Sequence, residues 1–553
     1  MKKWLLFLLI QATSLFAAYP PNIAAQVLYY IHQGQIERGI NCYLDYSKES
    51  HSHDFELLQQ AAYTLLEEGS RGDVESQMMC LFGSGVSLND SLLPILEKGI
   101  HSTDMKQQLA ALNFLSRFQD DAADDLLIEA LSSPFLLTRL ESSLQLAQKK
   151  HPKIFTHIES LLVKLPPPIR VLFPQIVAPL KSPEAARMLR QLMSDEEAPV
   201  RCEAILQAAE YGYDTLIPHI RKMAAQRGPA ELESSLVALH LLKDEESLPL
   251  FQKWGAEVGS PINLVAQKAL KDWGYEGALP LIEKAAAEKN LFAISLLGDT
   301  TSSKKILCTL LEDPDRSVRC NATLRLLEMK DPICLPALVE ILTPGPLDMG
   351  YHLQSSPGKG LSFWKALPNV TQKTAMYPQV RSETLKLRQQ VLIQALEFSE
   401  EEFLQLVKAV FNPHYPELVP AILELLCNKK SEKVIEFLKE KQQSAGAPFI
   451  RNYCNLTLYK LKVEGPYEDL LLKWVREAQK TVLIRFQEEK GPAQEASSYL
   501  LTPEETSQLL INAFEALASS QNEKGIEALL QAIACGNPKN RYALAGLLMR
   551  TAE

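Results

Sequence analysis

The sequence predicts an all-α solenoid of stacked helix pairs, a superhelix with an irregular loop inserted into it, on three observations. Four prolines, Pro94, Pro218, Pro249 and Pro280, fall on a lattice of 31 residues, and each has apolar neighbours such as Leu93/Leu96 or Leu248/Phe251. Proline suits the first turn of a helix, where its missing N–H would be unsatisfied anyway. Recurrence at a fixed period therefore means one helical unit, copied and stacked. Two segments also align closely: Asp195-Glu-Glu-Ala-Pro-Val200-Arg201-Cys-Glu-Ala204 and Asp313-Pro-Asp-Arg-Ser-Val318-Arg319-Cys-Asn-Ala322. Finally, a chain of 553 residues with 46% hydrophobic, 22% charged and only 24 Gly has an ordinary soluble profile poor in turn formers. Single cores stop growing near ~250–300 residues, a limit that repeat arrays avoid because each unit packs only on its neighbours.

At the start of the chain, Lys2 and Lys3 precede an apolar stretch from Trp4 to Ile10 that continues weakly to Phe16. Ala17 and Ala18 suit a cleavage point, and Pro20-Pro21 breaks any helix. Residues 1–17 thus have the layout of a secretory signal peptide, too short for a spanning helix of ~20 apolar residues. No later stretch of 18 apolar residues follows, so no transmembrane segment is expected in the mature chain. Residues 18–89 read as a helical N-terminal cap. Within it, Gln33-Gly34-Gln35-Ile36-Glu37-Arg38-Gly39-Ile40 and Tyr43 look like the turn and second helix of a tetratricopeptide-like hairpin.

The repeat signal is strongest over 90–342. Val318, Ala322 and Leu326 lie four apart and make one apolar helix stripe, and the alanine lets a partner helix approach closely. The aspartate accepts hydrogen bonds at a helix start, and the arginine reaches an acidic group on its own or a neighbouring repeat. These residues resemble the HEAT repeat, in its shorter bacterial (PBS-lyase-type) form. The Asp–Arg ladder of that family is matched at Asp195/Arg201 and Asp313/Arg319. Other copies, aligned on the arginine position, fall at Gln107, Arg139, Arg170, Glu233 and Ala266, with a poor unit near 290.

Residues 343–380 interrupt the array. This stretch is rich in Gly, Pro and Ser, yet carries Tyr351, Phe363, Trp364 and Tyr377. Its aromatic content favours an ordered loop packed on a face of the solenoid. Helical patterning resumes over 381–553 as a less regular array. Ser399-Glu400-Glu401-Glu402 and Thr502-Pro503-Glu504-Glu505 read as capping boxes that open helices.

Chemistry-bearing motifs are few. The net charge of −10 without a basic tail argues against nucleic acid, which needs Lys and Arg to neutralise phosphates. Nine cysteines in irregular spacing, with no CxxC, read as small buried hydrophobes, with one pair among Cys308, Cys320 and Cys334 able to oxidise in an exporting compartment. No His-Glu dipeptide occurs, so the ligand pairs of the iron-dependent HEAT-like hydroxylase are missing, and nothing signals the tetrapyrrole handling of bilin lyases. His51-Ser52-His53-Asp54 is the only local cluster of metal-ligand types and reads as a polar turn. Asp120, Asp121, Asp124 and Asp125 suit a helix start. Pro357-Gly358-Lys359-Gly360 fails as a phosphate loop, because Leu353 stands where its first glycine belongs and Gly360 replaces the Ser or Thr. No catalytic, metal or cofactor residue is therefore expected.

The reading that follows is an exported, non-enzymatic protein-binding scaffold of the bacterial cell envelope, periplasmic or secreted. Trp364, Phe363, Tyr351 and Tyr377 are its candidate contact residues, because large aromatics dominate interface energetics. Two alternatives stay open: an enzyme or accessory factor with a site assembled from several repeats, and a secreted effector that binds a host protein.

Overall fold

The computed structural model describes residues 23–151, 153–162, 165–256, 260–343, 350–367, 377–412, 416–482, 503–519 and 522–551. The signal segment 1–17 and Thr502 lie outside the described residues. The chain is an all-α solenoid of stacked helix pairs. It divides into two compact units: unit 1 joins Met1–Gln145 with Lys429–Glu553, and unit 2 is Leu146–Asn428.

The first helices are α1 (Ile23–His32), α2 (Ile36–Ser50), α3 (Phe55–Gly69), α4 (Val74–Ser87), α5 (Leu93–Ile100), α6 (Met105–Leu115), α7 (Asp121–Ala130) and α8 (Leu136–Gln148). Next come α9 (Ile154–Leu162), α10 (Pro167–Arg170), α11 (Phe173–Val177), α12 (Pro183–Leu192), α13 (Ala198–Glu210), α14 (Ile217–Gln226) and α15 (Pro229–Leu241). The array continues as α16 (Leu248–Gly255), α17 (Pro261–Asp272), α18 (Ala278–Ala287), α19 (Leu291–Ser295), α20 (Thr301–Leu310), α21 (Arg316–Glu328) and α22 (Leu335–Leu342). The insertion contributes β1 (Tyr351–Ser355) and β2 (Ser362–Ala366). The last elements are α23 (Tyr377–Ala395), α24 (Glu400–Val410), α25 (Val419–Lys429), α26 (Glu432–Ser444), α27 (Pro448–Lys460), α28 (Tyr467–Ala478), α29 (Pro503–Ser519), α30 (Glu523–Cys535) and α31 (Arg541–Thr551).

The proline lattice marks the second helix of each pair: Pro94, Pro218 and Pro249 stand at the starts of α5, α14 and α16, and Pro280 in the first turn of α18. A second lattice of the same period sits in turns that precede α9, α12, α14, α16 and α18. Lys150, Lys181, Gly212, Lys243 and Gly274, each 31 residues apart, all have positive φ. After Lys150, Gly212, Lys243 and Gly274 the following N–H reaches back five residues, as in Tyr213 N to Ala208 O and Asp244 N to Leu239 O, both 2.9 Å. This is the hydrogen bond of a helix end closed by a left-handed residue, which satisfies carbonyls the helix leaves open. The poor repeat near 290 is a helix cut to five residues, α19. Ser399 and Glu402 form a capping box at α24, and Asp120 caps α7.

In unit 2 the first helices of successive pairs, α13, α15 and α17, pack directly side by side, and α19 packs on α21. Their second helices cover one side of this layer. The first-helix layer also buries polar groups, among them Arg201, Glu203, Glu231, Glu233, Ser234, Ser317 and Asn321. Buried polar groups need partners, and the ribbon β1–β2 supplies many of them.

In unit 1 early described helices meet the last ones. α31 lies on α3 and α4, and α30 on α2. The crossing is too tight for side chains: a Cβ on Gly546 would stand 2.0 Å from the Gly83 carbonyl oxygen, and one on Gly83 would stand 2.3 Å from that of Tyr542. Lys539 pairs with Glu75 at 2.7 Å beside this contact. A helical array must cover the apolar face of its terminal repeat; here the first and last repeats cover each other.

Candidate functional site: a ribbon held by the first-helix layer

β1 and β2 pair antiparallel, from Tyr351 opposite Ala366 to Ser355 opposite Ser362. Two strands alone are marginal in water and leave two open edges. Both edges are closed by side chains. On β1, the Tyr351 N–H donates to Thr384 Oγ1 (2.8 Å) and the Leu353 N–H to Glu383 Oε2 (3.0 Å), both on α23. On β2, Asn321 of α21 accepts the Trp364 N–H (2.9 Å) and donates to the Trp364 carbonyl (2.7 Å). Ser317, one turn earlier, accepts the Ala366 N–H at 3.1 Å. An amide side chain that takes both groups of one residue stands in for a strand.

The tip carries the densest contacts. Gly358 and Gly360 donate their N–H groups to the Glu233 carboxylate at 3.1 and 2.9 Å, and the Ser356 hydroxyl donates to it as well. Glu233 is 1% exposed. Ser234 Oγ reaches the Gly358 carbonyl at 2.7 Å. Lys359, in the left-handed region at φ +58°, sends its ammonium 2.6 Å from the buried Glu203 of α13. The Pro357-Gly358-Lys359-Gly360 segment is therefore an anion-binding turn made of two alternate N–H groups, with the Lys359 N–H between them turned back to the Ser356 carbonyl at 2.8 Å. Its anion is internal.

Each aromatic candidate has a defined place. Tyr351 is buried under the Arg316 guanidinium, 5.0 Å from its ring, and burial pushes its hydroxyl pKa up. Phe363 stands edge-on to Phe292 of α19 at 4.8 Å. Trp364 is half-buried and lies opposite Leu353, which is 41% exposed. Tyr377 opens α23, and its side chain lies outside the described residues. His352 bonds Glu383 at 2.7 Å. Burial works against the Glu383 charge, yet the Gln379 amide, the Leu353 N–H and His352 together hold its pKa below the usual value.

The Asp–Arg ladder has a direction that the motif does not show. Arg201 Nη1 donates to the main-chain carbonyls of Asp195 and Glu196, both at 2.7 Å, while its other donors meet Glu231 of the next repeat. The Asp195 carboxylate instead takes Arg170 Nη2 at 3.1 Å from the preceding repeat. Arg319 keeps the Asp313 carbonyl (2.6 Å) behind it but meets Glu340 (2.6 Å) on α22 of its own pair, and the Asp313 carboxylate pairs with Lys289 at 2.8 Å.

Other residues singled out in the sequence are engaged in packing. His53 stacks on Tyr43 and stands 3.2 Å from both its hydroxyl and Ser47 Oγ. His51 contacts the Lys48 carbonyl. The nine cysteines are free thiols, and burial pushes Cys334 up to about 12. Among the described residues no helix is long and apolar enough to cross a membrane. Sequence reasoning missed Glu203, Asn321 and Thr384, and placed Glu233 only as a degenerate copy of the repeat arginine. A signal existed: Glu203 and Asn321 both stand two residues after the repeat arginine, polar groups on a helix covered on both sides.

No protein-family model matches the chain, and no curated protein matches it. Among solved structures it is similar to the karyopherin Kap121p bound to Pho4p, at 12% identity over 89% of this chain and 63% of that one, with a TM-score of 0.38. Kap121p bound to the extreme C-terminus of the phosphatase Cdc14p gives 12%, 90%, 64% and 0.37. A tubulin-recruiting TOG-domain array gives 13%, 91%, 90% and 0.14. The chain spans less than two thirds of the karyopherin chains.

Proposed function

We propose that this chain is a non-enzymatic protein-binding scaffold, exported to the bacterial cell envelope, that engages its partner through the ribbon-bearing face of unit 2. One observation carries the reading. Side chains of α15, α21 and α23 are aimed at the main chain of a single extended segment, through Glu233, Ser234, Asn321, Ser317, Thr384 and Glu383. Main-chain hydrogen bonds to an extended segment, with pockets for a few side chains, are a general mode of polypeptide recognition. Leu353 and Trp364 add an apolar pair at the water side of this face. Export is supported by the layout of residues 1–17.

The test places a photo-crosslinking residue at Leu353 in the full chain, expressed in its source cells, with Leu137 of unit 1 as the control position. A defined protein adduct at 353, absent at 137 and lost with Trp364→Ala, is the expected result. Fractionation in the same cells reads export. Equal labelling at both positions, or none, overturns the interface.

A further inference from the structure

We propose that the ribbon is an internal occupant of a polypeptide-binding site, and that the same site takes, in exchange, an extended partner segment carrying a lysine between two glycines. The proposal rests on the protein-binding reading above and says what the face selects.

Three features separate the ribbon from an ordinary insertion. Its seat is specified by contacts to main chain: Asn321 reads both groups of Trp364, Thr384 and Glu383 read β1, and Ser317 reads Ala366. Such contacts are indifferent to the side chains of the occupant. Selectivity enters at the tip. A Cβ at position 358 would stand 2.4 Å from the Ala230 carbonyl oxygen, and one at 360 would stand 2.7 Å from Val237 Cγ2, so two glycines are required there. Between them Lys359 meets Glu203, which is buried and also held by Gln175 Nε2 at 2.9 Å.

The charges explain why exchange, rather than simple opening, is the relevant event. With the ribbon seated, the buried Glu233 carboxylate is satisfied by two N–H groups and a hydroxyl, and Glu203 by an ammonium and an amide. Removal of the ribbon takes all three of those donors from Glu233 and the cation from Glu203, which keeps the Gln175 amide, and a buried anion stripped of its donors is costly. A second segment with the same donors restores them. A segment without the lysine leaves Glu203 without its cation, and a segment with side chains beside the lysine collides with α15. The first-helix layer thus discriminates by charge and by size at one point, and tolerates sequence elsewhere.

The experiment uses the full chain and a fluorescent synthetic peptide that copies Gly350–Leu367. In a deletion variant, 350–367 is replaced by a short Gly/Ser linker. The expected result is tight uptake of the peptide by the folded deletion variant and at least tenfold weaker uptake by the intact chain. Peptide Lys359→Glu should lose at least tenfold against the deletion variant and recover it when the protein carries Glu203→Lys. A folded deletion variant that ignores the peptide overturns the proposal, as does equal uptake by the intact chain. Where the deletion loses helicity, Gly358→Val with Gly360→Val in the intact chain replaces it, with fast amide exchange across the ribbon reporting release. Released ribbon without peptide uptake overturns the proposal too. Loss of helicity in both variants makes the ribbon a structural brace and also ends it. A null crosslinking result beside positive peptide exchange would sink the partner assignment alone.

Discussion

The Glu233 carboxylate accepts the Gly360 N–H at 2.9 Å, across 127 residues of chain. Around that bond the failed phosphate-loop motif finds a use, because main-chain N–H groups freed by small residues bind whatever anion the fold brings to them. Here the anion is a glutamate on a repeat helix. Its removal should be felt locally and strongly. Glu233→Ala leaves three donors in a dry seat, at about 1–3 kcal/mol for each that stays unsatisfied, and an overall loss of about 2–4 kcal/mol is expected in urea unfolding. Gly358→Ala should cost more than Gly360→Ala. The first Cβ meets a main-chain oxygen at 2.4 Å, and the second meets side-chain atoms only, Val237 Cγ2 at 2.7 Å and Glu233 Oε1 at 2.9 Å, which yield at a smaller cost than main chain.

The left-handed lysines offer a gain of stability. Lys243 has φ +55° just past the close of α15, and among the described residues no ion pair compensates the strain that a Cβ meets there. Lys243→Gly should raise stability by about 0.5–1 kcal/mol, part of the relief being returned as glycine's greater freedom in the unfolded chain. Lys289→Gly should show no gain, because it also removes the 2.8 Å pair with the buried Asp313. Parallel thermal melts of the two variants check both statements.

The ladder arginines should resist conservative exchange. Arg201 spends its fork on two carbonyls behind and Glu231 ahead, which an ammonium cannot reproduce. Arg201→Ala strands a buried carboxylate and should cost about 3–5 kcal/mol. Arg201→Lys should recover less than half of that loss, as read from denaturant midpoints at constant m-value.

Acid should loosen unit 2 in two stages. Burial first, then the Lys268 charge, holds the His240 imidazole below its usual pKa, and its ring stands edge-on to Trp273 at 5.7 Å. Between its folded and unfolded pKa values the unfolded chain binds more protons. The stability due to neutral His240 is therefore present at high pH and lost as pH falls below about 6.5. Asp244, held low chiefly by its hydrogen bonds with Arg221, behaves in the same direction at lower pH. Its contribution is present above about 4 and lost as pH falls through the folded value. His240→Phe should flatten the upper stage only and Asp244→Asn the lower one, in stability measured from pH 8 to pH 3.

Unit 1 should depend on the far end of the chain. Gly546→Val drives a side chain into the Gly83 main chain, and deletion of 541–553 uncovers α4. Both should speed amide exchange in α3 and α4, while helices of unit 2 keep their protection. Unchanged exchange in α3 and α4 would mean that the terminal repeats do not cover each other in solution.

Much of the repeat architecture was legible in the chain. The 31-residue prolines locate second helices because proline's fixed φ and missing donor suit one place in a helix, and the Val–Arg–Cys–x–Ala segments locate first helices by their apolar stripe. The left-handed lattice at Lys150, Lys181, Gly212, Lys243 and Gly274 has the same period, yet lysine gives no hint of positive φ, so only backbone geometry discloses it. The ribbon was hidden for another reason. Its strands are five residues each, and the hydrogen bonds that complete their edges come from Asn321 and Thr384, residues remote in sequence or on another element.

The sequence alone determined an all-α solenoid, its period and the positions of its helix starts, because these depend on interactions within a few turns of one helix. Only the tertiary structure decided where the ladder arginines and aspartates pair, what Gly358 and Gly360 hold, and that the first and last repeats cover each other. Those outcomes depend on which polar groups are brought together after burial, and burial joins residues that the chain keeps far apart.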